Sequence, residues 1–316
     1  MCRHVILLDM ITHYFRTLKD SELKVLDKSR SGVWTHVVDP TDEEIEELVG
    51  ELHLDEAILE DAKDFFEVPR MERSGGATYF FTRYPFVQEQ EDTDTAPLLI
   101  VMGESYVLTI SLKDVPQFED LLSGKVVVHT TQKAKLFIQI MTAITTAFER
   151  KLVSLRRSVY KDRTKLRSIG SLEIEKFVNY EHELHDMIAA IIPTNVWLQQ
   201  VIKGNHMQLY DEDVELVEDL MIDNDQLVES ARAVMKTIQN VRNATEAILT
   251  NRLNGTIKTL TVLTIILTIP TIVASLYGMN VTLPFSTNPM AFGLVLVFIA
   301  ALLLFVVLLF KRYEWL

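Results

Sequence analysis

Asn254, Ile257, Thr261, Thr264, Thr268, Thr271 and Ser275 fall alternately three and four residues apart, which puts them on one seam of a helix, and all but Ile257 are hydrophilic. Neutral amide and hydroxyl oxygens in a row suit a hydrated hard cation, whose water shell can be held without the tight grip of a carboxylate cage. Beyond the end of the seam, Tyr277-Gly278-Met279-Asn280 follows, where the Asn280 side chain and the nearby Gly278 carbonyl offer the same chemistry.

The surroundings of the seam are apolar. From Thr259 to Tyr277 no side chain is charged, and at a helical rise of about 1.5 Å per residue this length covers roughly the 30 Å hydrocarbon core of a bilayer. It is predicted to span a membrane. Polar groups in hydrocarbon must find partners, so the seam is expected to face other helices or a water-filled path. A second reading stays open, in which the threonine hydroxyls bond back to carbonyls of their own helix and only ease packing. Likewise, Gly278 can simply end a helix and leave Asn280 in an ordinary turn.

A second charge-free stretch, Pro289 to Phe310, follows a short loop and finishes in Lys311-Arg312-Tyr313-Glu314-Trp315-Leu316. A first span closed by Tyr277-Gly278-Met279-Asn280, followed by this second span and basic end, resembles the CorA family of magnesium and divalent-cation channels. Trp34 ahead of a hydrophobic strand and Asp39-Pro40, and the segment Ile58-Leu59-Glu60-Asp61, look like counterparts in the same family.

The resemblance implies an α/β cytoplasmic domain plus long helices. A very long stalk helix would continue into the first of two C-terminal transmembrane helices, assembled as a homopentamer around that first span. It makes Gly278, Met279 and Asn280 the selectivity filter and places the seam, Asn254, Ile257, Thr261, Thr264, Thr268, Thr271 and Ser275, along the pore. Asn254 would supply a second oxygen ring, and Ile257 with Leu260, one position off the seam, would gate by dewetting; coiled-coil packing explains the two aliphatics as well. The family also holds a regulatory cation between protomers, which carries over to Asp61, with Glu60 beside it, and Asp219. The implied ion is Mg²⁺, both transported and regulatory, with intracellular Mg²⁺ closing the channel. The loop Val281 to Asn288 lacks the acidic residue that many members carry after the motif, which leaves a Zn²⁺, Co²⁺ or Ni²⁺ transporter as an alternative. A non-conducting, membrane-anchored scaffold or sensor is the alternative from a different class.

The net charge of −13 over 316 residues argues against nucleic acid as a partner, because neutralising phosphates needs a basic surface. An acidic vestibule that concentrates cations and ordinary solubility both account for it. The apolar run Val5 to Leu8 is too short for a signal peptide and meets Asp9 at once. Lys258, Lys311 and Arg312 flank the spans, whereas the loop between the spans is uncharged. A multi-pass protein of the plasma or inner membrane with both termini cytoplasmic is therefore expected, its partners being copies of itself, membrane lipids and metal ions. The single cysteine, Cys2, excludes an intramolecular disulfide. No enzyme is expected: His182-Glu183-Leu184-His185 is one residue short of the helical zinc motif, and no nucleophile–base pattern stands out.

The rest of the chain has to position these residues. Val5 to Met10 and Val33 to Val38 are predicted strands, then a helix Glu43 to Leu52 capped by Thr41 or Asp42, and a second helix Asp55 to Phe65. Acidic residues crowd Asp42 to Glu67, against Lys63 alone. Three further strands, Thr78 to Val87, Pro97 to Met102 and Tyr106 to Ser111, are set off by Gly75-Gly76, an acidic loop Glu89 to Asp94 and Gly103-Glu104. Helices Lys133 to Arg167 and Ser171 to Ile202 are predicted to pair antiparallel about a turn near Ile169-Gly170, with Pro193 a possible kink. Arg156, Arg157, Lys161, Arg163, Lys165 and Arg167 make that tip basic. From Asp211 there is neither Pro nor Gly until Gly255, and Val214, Val217, Leu220, Leu227, Ala231, Val234, Ile238, Val241 and Ile248 recur at helical spacing, which predicts the stalk. The expected division is an α/β domain at 1–124, a helical layer and stalk at 125–253, and a membrane domain at 254–316, with spans near 259–277 and 289–310 and an external loop at 278–288.

Overall fold

A computed structural model describes residues 11–86, 95–163, 171–204, 206–280 and 290–313. The strand expected at Val5–Met10, the loop Glu89–Asp94, the turn at Ile169-Gly170 with Lys165 and Arg167, the loop Val281–Asn288 and the chain end Glu314–Leu316 lie outside the described residues.

The strands are β1 (Ile11–Phe15), β2 (Lys24–Leu26), β3 (Trp34–Val38), β4 (Arg70–Ser74), β5 (Ala77–Pro85), β6 (Thr95–Met102) and β7 (Val107–Ser111), and runs of β-branched and aromatic residues form most of them. They pair in the order β2-β1-β3-β7-β6-β5-β4. The β3–β7 pair is parallel, with Trp34 opposite Val107, and the other neighbours are antiparallel. On one face Val37, Tyr79, Phe81, Leu99, Leu108 and Ile110 pack with Ile45 and Leu48 of α1 (Asp42–Leu52) and Ile58 and Leu59 of α2 (Glu56–Asp61). Residues one step along the strands serve the other face. There the Phe80 ring lies 4.8 Å from Phe137 of α4 (Lys133–Arg163) and 5.1 Å from Trp197 of α5 (Ser171–Lys203). Trp34 lies 5.3 Å from Phe118, just ahead of α3 (Glu119–Leu122). Helices on both faces explain why β5, β6 and β7 read as nearly continuous buried runs. Each fully buried large side chain contributes about 1.5–3 kcal/mol.

Local signals set the element ends. Thr41 and Glu44 form a reciprocal capping box, Glu44 N donating to Thr41 Oγ1 at 3.3 Å and Thr41 N to Glu44 Oε2 at 2.8 Å. α2 is shorter than the predicted Asp55–Phe65. After Ala62 the backbone closes with three-residue turns, Lys63 N to Glu60 O at 3.0 Å and Asp64 N to Asp61 O at 3.1 Å, and the Asp64 carboxylate captures Phe66 N at 2.8 Å. β4, whose sequence Arg-Met-Glu-Arg-Ser carries no strand signal, is an edge strand where charge is at home. Gly75 and Gly76, at φ 60° and 84°, make the tight hairpin that joins it to β5.

α6 runs unbroken from Asp211 to Tyr277, and α7 from Ala291 to Arg312. The chain divides into two units that meet between Asn240 and Val241, inside α6. Within the first unit the predicted apolar stripe of α6 is buried at Val217, Leu220, Leu227, Ala231, Val234 and Ile238. Pro193 stays inside α5.

Candidate functional site

Within the second unit, the apolar stretches of α6 and α7 reach mean hydropathies of 2.1 and 3.3, and both helices are long and apolar enough to cross a membrane. Their large side chains face outward, among them Leu263, Leu267, Ile272, Phe298 and Leu304. An apolar surface of this extent calls for lipid or other helices around it.

The seam lies along this part of α6. Thr261, Thr264, Thr268 and Thr271 donate their hydroxyl hydrogens to the carbonyls of Ile257, Leu260, Thr264 and Leu267, at 2.8, 2.8, 2.7 and 2.8 Å. Thr264, Thr268, Thr271 and Ser275 are nevertheless exposed, and Thr261 is half-buried. A hydroxyl whose hydrogen is held by the backbone still carries lone pairs. The threonines thus present acceptor oxygens, a wall that favours cations and the outward hydrogens of their hydration water. Asn254, Ile257 and Leu260 are also exposed.

Pro270 lies inside α6 and has no N–H for the carbonyl of Ile266, which adds a main-chain oxygen within the span. A proline inside a charge-free stretch is the sequence signal for this feature.

α6 ends where the motif begins. Gly278 N donates to Ala274 O at 2.9 Å and Ser275 O at 3.2 Å, and Met279 N to Leu276 O at 3.4 Å. A Cβ on Gly278 would lie 3.3 Å from Ala274 O, crowding the last turn. No basic residue occupies that turn, so the negative end of the helix dipole is left uncompensated beside Gly278, Met279 and Asn280. Met279 and Asn280 are exposed.

The predicted regulatory acids belong to the first unit. Asp61 Oδ2 accepts from Arg70 Nη2 at 2.7 Å, and Arg70 also pairs with Glu67 and Glu72 and lies over the Phe81 ring at 4.2 Å. Glu60 pairs with Lys63 at 2.8 Å. Asp219 lines a groove with Glu149 and Arg156 of α4 and Asp223 of α6. Among the described residues no group of three or more His, Cys, Asp or Glu is placed to hold a metal.

A mixed α/β N-terminal domain, a stalk helix over 211–277 and a further apolar helix define a membrane protein with two C-terminal helical spans. A family model described as CorA-like Mg²⁺ transporter protein matches residues 29–312. The chain is 25% identical over 300 residues to the cobalt/magnesium transport protein CorA of Methanocaldococcus jannaschii, covering 90% of this chain and 91% of that protein. The complete structure of the CorA magnesium transporter from the same organism matches with a TM-score of 0.87 at 23% identity, over 98% of this chain and 99% of that one. Full-length CmaX matches with a TM-score of 0.75 at 15% identity, over 97% and 98%. The chain belongs to the CorA family of divalent-cation transporters, which are not enzymes.

Proposed function

We propose that this protein is a homopentameric channel for divalent cations, with Mg²⁺ its principal ion. The first span of each protomer lines the pore, and Gly278, Met279 and Asn280 form the filter at its outer mouth. The observation that carries this reading is the ladder of exposed threonine oxygens, each with its hydrogen turned into its own helix. It leads along a charge-free span to an uncompensated helix C-terminus. Mg²⁺ sheds its water reluctantly, and neutral acceptors can conduct it with much of its shell in place. Asn254 gives a second oxygen ring at the inner end, with Ile257 and Leu260 as the dewetting gate.

The α/β domain at 1–124 and the helical layer and stalk at 125–253 lie in the cytoplasm with both termini, and 254–316 lies in the plasma or inner membrane. Intracellular Mg²⁺ bridging Asp61 and Glu60 of one protomer to Asp219 of the next closes the channel. A relative named for cobalt as well as magnesium supports testing transition metals beside Mg²⁺.

The test is flux into proteoliposomes that hold purified protein and a Mg²⁺-sensitive dye, with Asn280→Ala as the comparison. Wild-type flux is expected, falling at least tenfold in the variant. If folded, oligomeric wild type passes neither Mg²⁺ nor Zn²⁺, Co²⁺ or Ni²⁺, the protein is a membrane-anchored scaffold or sensor instead.

A further inference from the structure

The first unit holds a cavity of about 410 Å³ far in sequence from the spans, lined by Arg73, Thr78, Gln132, Lys133, Lys135, His206 and Asp213 among others. It collects the first turn of α4 and the first turn of α6. These two helix starts differ in charge. The first turn of α4 has no acidic residue and carries Lys133 and Lys135, whereas that of α6 carries Asp211, Glu212 and Asp213. Backbone N–H groups at a helix start are unclaimed by the helix and attract anions, and at α4 the lysines add to that attraction. Lys133 Nζ is fixed in place by the carbonyls of Gly103 and Glu104, at 2.7 and 2.6 Å.

An independent observation comes from Asp213, which is 1% exposed. Its Oδ2 accepts from Tyr210 N at 3.1 Å, but its buried Oδ1 has no partner among the described residues. His206 Nδ1, in the same cavity, is likewise buried and without a partner among the described residues. A buried carboxylate oxygen left unsatisfied is costly, and it calls for a hydrogen-bond donor. Lys135 Nζ lies 3.8 Å from Glu212 Oε2, whereas the Lys133 charge is held by neutral carbonyls, and with the α4 start it calls for an anion. One small molecule satisfies both demands if it carries an anionic group at one end and hydroxyls at the other.

We propose that this cavity binds a phosphate monoester that carries hydroxyl groups, the chemistry shared by nucleotides and sugar phosphates. The phosphate sits at the start of α4 with Lys133 and Lys135, and a ligand hydroxyl donates to Asp213 Oδ1. The volume falls in the usual range for small-molecule sites, about 300–1,000 Å³. Because the site is distinct from the filter and from Asp61 and Asp219, the inference stands independently of the transport reading.

The test is calorimetric titration of the full-length, detergent-solubilised protein, in chelator to exclude divalent ions, with AMP, ribose 5-phosphate, inorganic phosphate and adenosine as separate probes. Binding of AMP is expected, at least tenfold tighter than adenosine or inorganic phosphate. Ribose 5-phosphate binding as well as AMP identifies the sugar phosphate as sufficient, and AMP alone adds a contribution from the base; both support the site. Lys135→Gln is expected to weaken AMP at least threefold, and Asp213→Asn to weaken AMP while leaving inorganic phosphate unchanged. Thermal unfolding of each variant checks that it is folded. Adenosine binding as tightly as AMP would overturn the anion assignment, and inorganic phosphate binding as tightly would overturn the role of Asp213. If no probe binds folded wild type at 10-millimolar order, water serves the two orphaned atoms and the proposal falls.

Discussion

His36, on β3, is 8% exposed. Its Nδ1 lies 2.9 Å from Thr109 Oγ1, and its ring packs near Trp34 and Phe118 at 6.2 and 5.1 Å. Burial pushes its pKa down to about 4, the bond to Thr109 opposing this only in part. Asp39, Asp114 and Glu119 line the cavity beside it without reversing the shift. The folded chain therefore holds His36 neutral in a range where the unfolded chain takes up a proton. Its contribution to stability is fully present above about 6.5 and is lost as pH falls from there towards about 4, a loss on the order of 3 kcal/mol at most. Unfolding midpoints of detergent-solubilised protein at pH 7.5 and pH 5 should drop less for His36→Gln than for wild type. An unchanged drop would assign the acid sensitivity to other groups. In the sequence His36 is one scattered histidine among several. Its place in the core depends on the parallel β3–β7 pair, which brings together residues whose proximity no local pattern announces.

At the level of elements, α6 is tied to α4 and α5 by a short polar relay. Thr145 Oγ1 donates to Asn224 Oδ1 at 2.9 Å, and Asn224 Nδ2 donates to Asn195 Oδ1 at 2.8 Å. Asn195 Nδ2 donates onward to Asp225 Oδ1 at 2.8 Å and to Met221 O at 3.0 Å. Asn224 is 2% exposed, so its amide sits within an otherwise apolar stripe and selects one register of α6 against its neighbours. Asn224→Leu would leave the Thr145 hydroxyl and the Asn195 carbonyl short of a partner. It is expected to cost about 1–3 kcal/mol, read as a lower denaturant midpoint with an unchanged slope. Equal stability would mean that apolar packing alone fixes the register. The stripe itself was legible, because Val217 to Ile238 repeat at helical spacing. The relay was not, since nothing local distinguishes Asn224 from an exposed polar residue. β4 was hidden for the opposite reason, its charges suiting an edge that only the assembled sheet defines.

For the whole molecule, the spans, the stalk and the family were readable because a charge-free length, a helical period and a short motif at the end of a span are local patterns. The regulatory acids came only through the resemblance, because Asp61 and Asp219 lie on separate elements that no local pattern joins, and within the chain Asp61 pairs with Arg70. In the pentamer proposed above, Asp61→Asn with Asp219→Asn should preserve flux and weaken its inhibition by Mg²⁺ on the stalk side at least fivefold. The lost Asp61–Arg70 pair is half-exposed and is worth little stability. Flux and inhibition both equal to wild type would remove these carboxylates from the sensor. The threonine ladder has a consequence for protons as well as metals. Hopping of a proton along a wall requires each group to release one hydrogen as it accepts another, and here every threonine hydrogen is already lodged on a backbone carbonyl. The wall is therefore no proton wire. Metal uptake into vesicles loaded with a pH dye should proceed without matching acidification, and acidification in step with the metal would show that the hydroxyls let go of the backbone during transport.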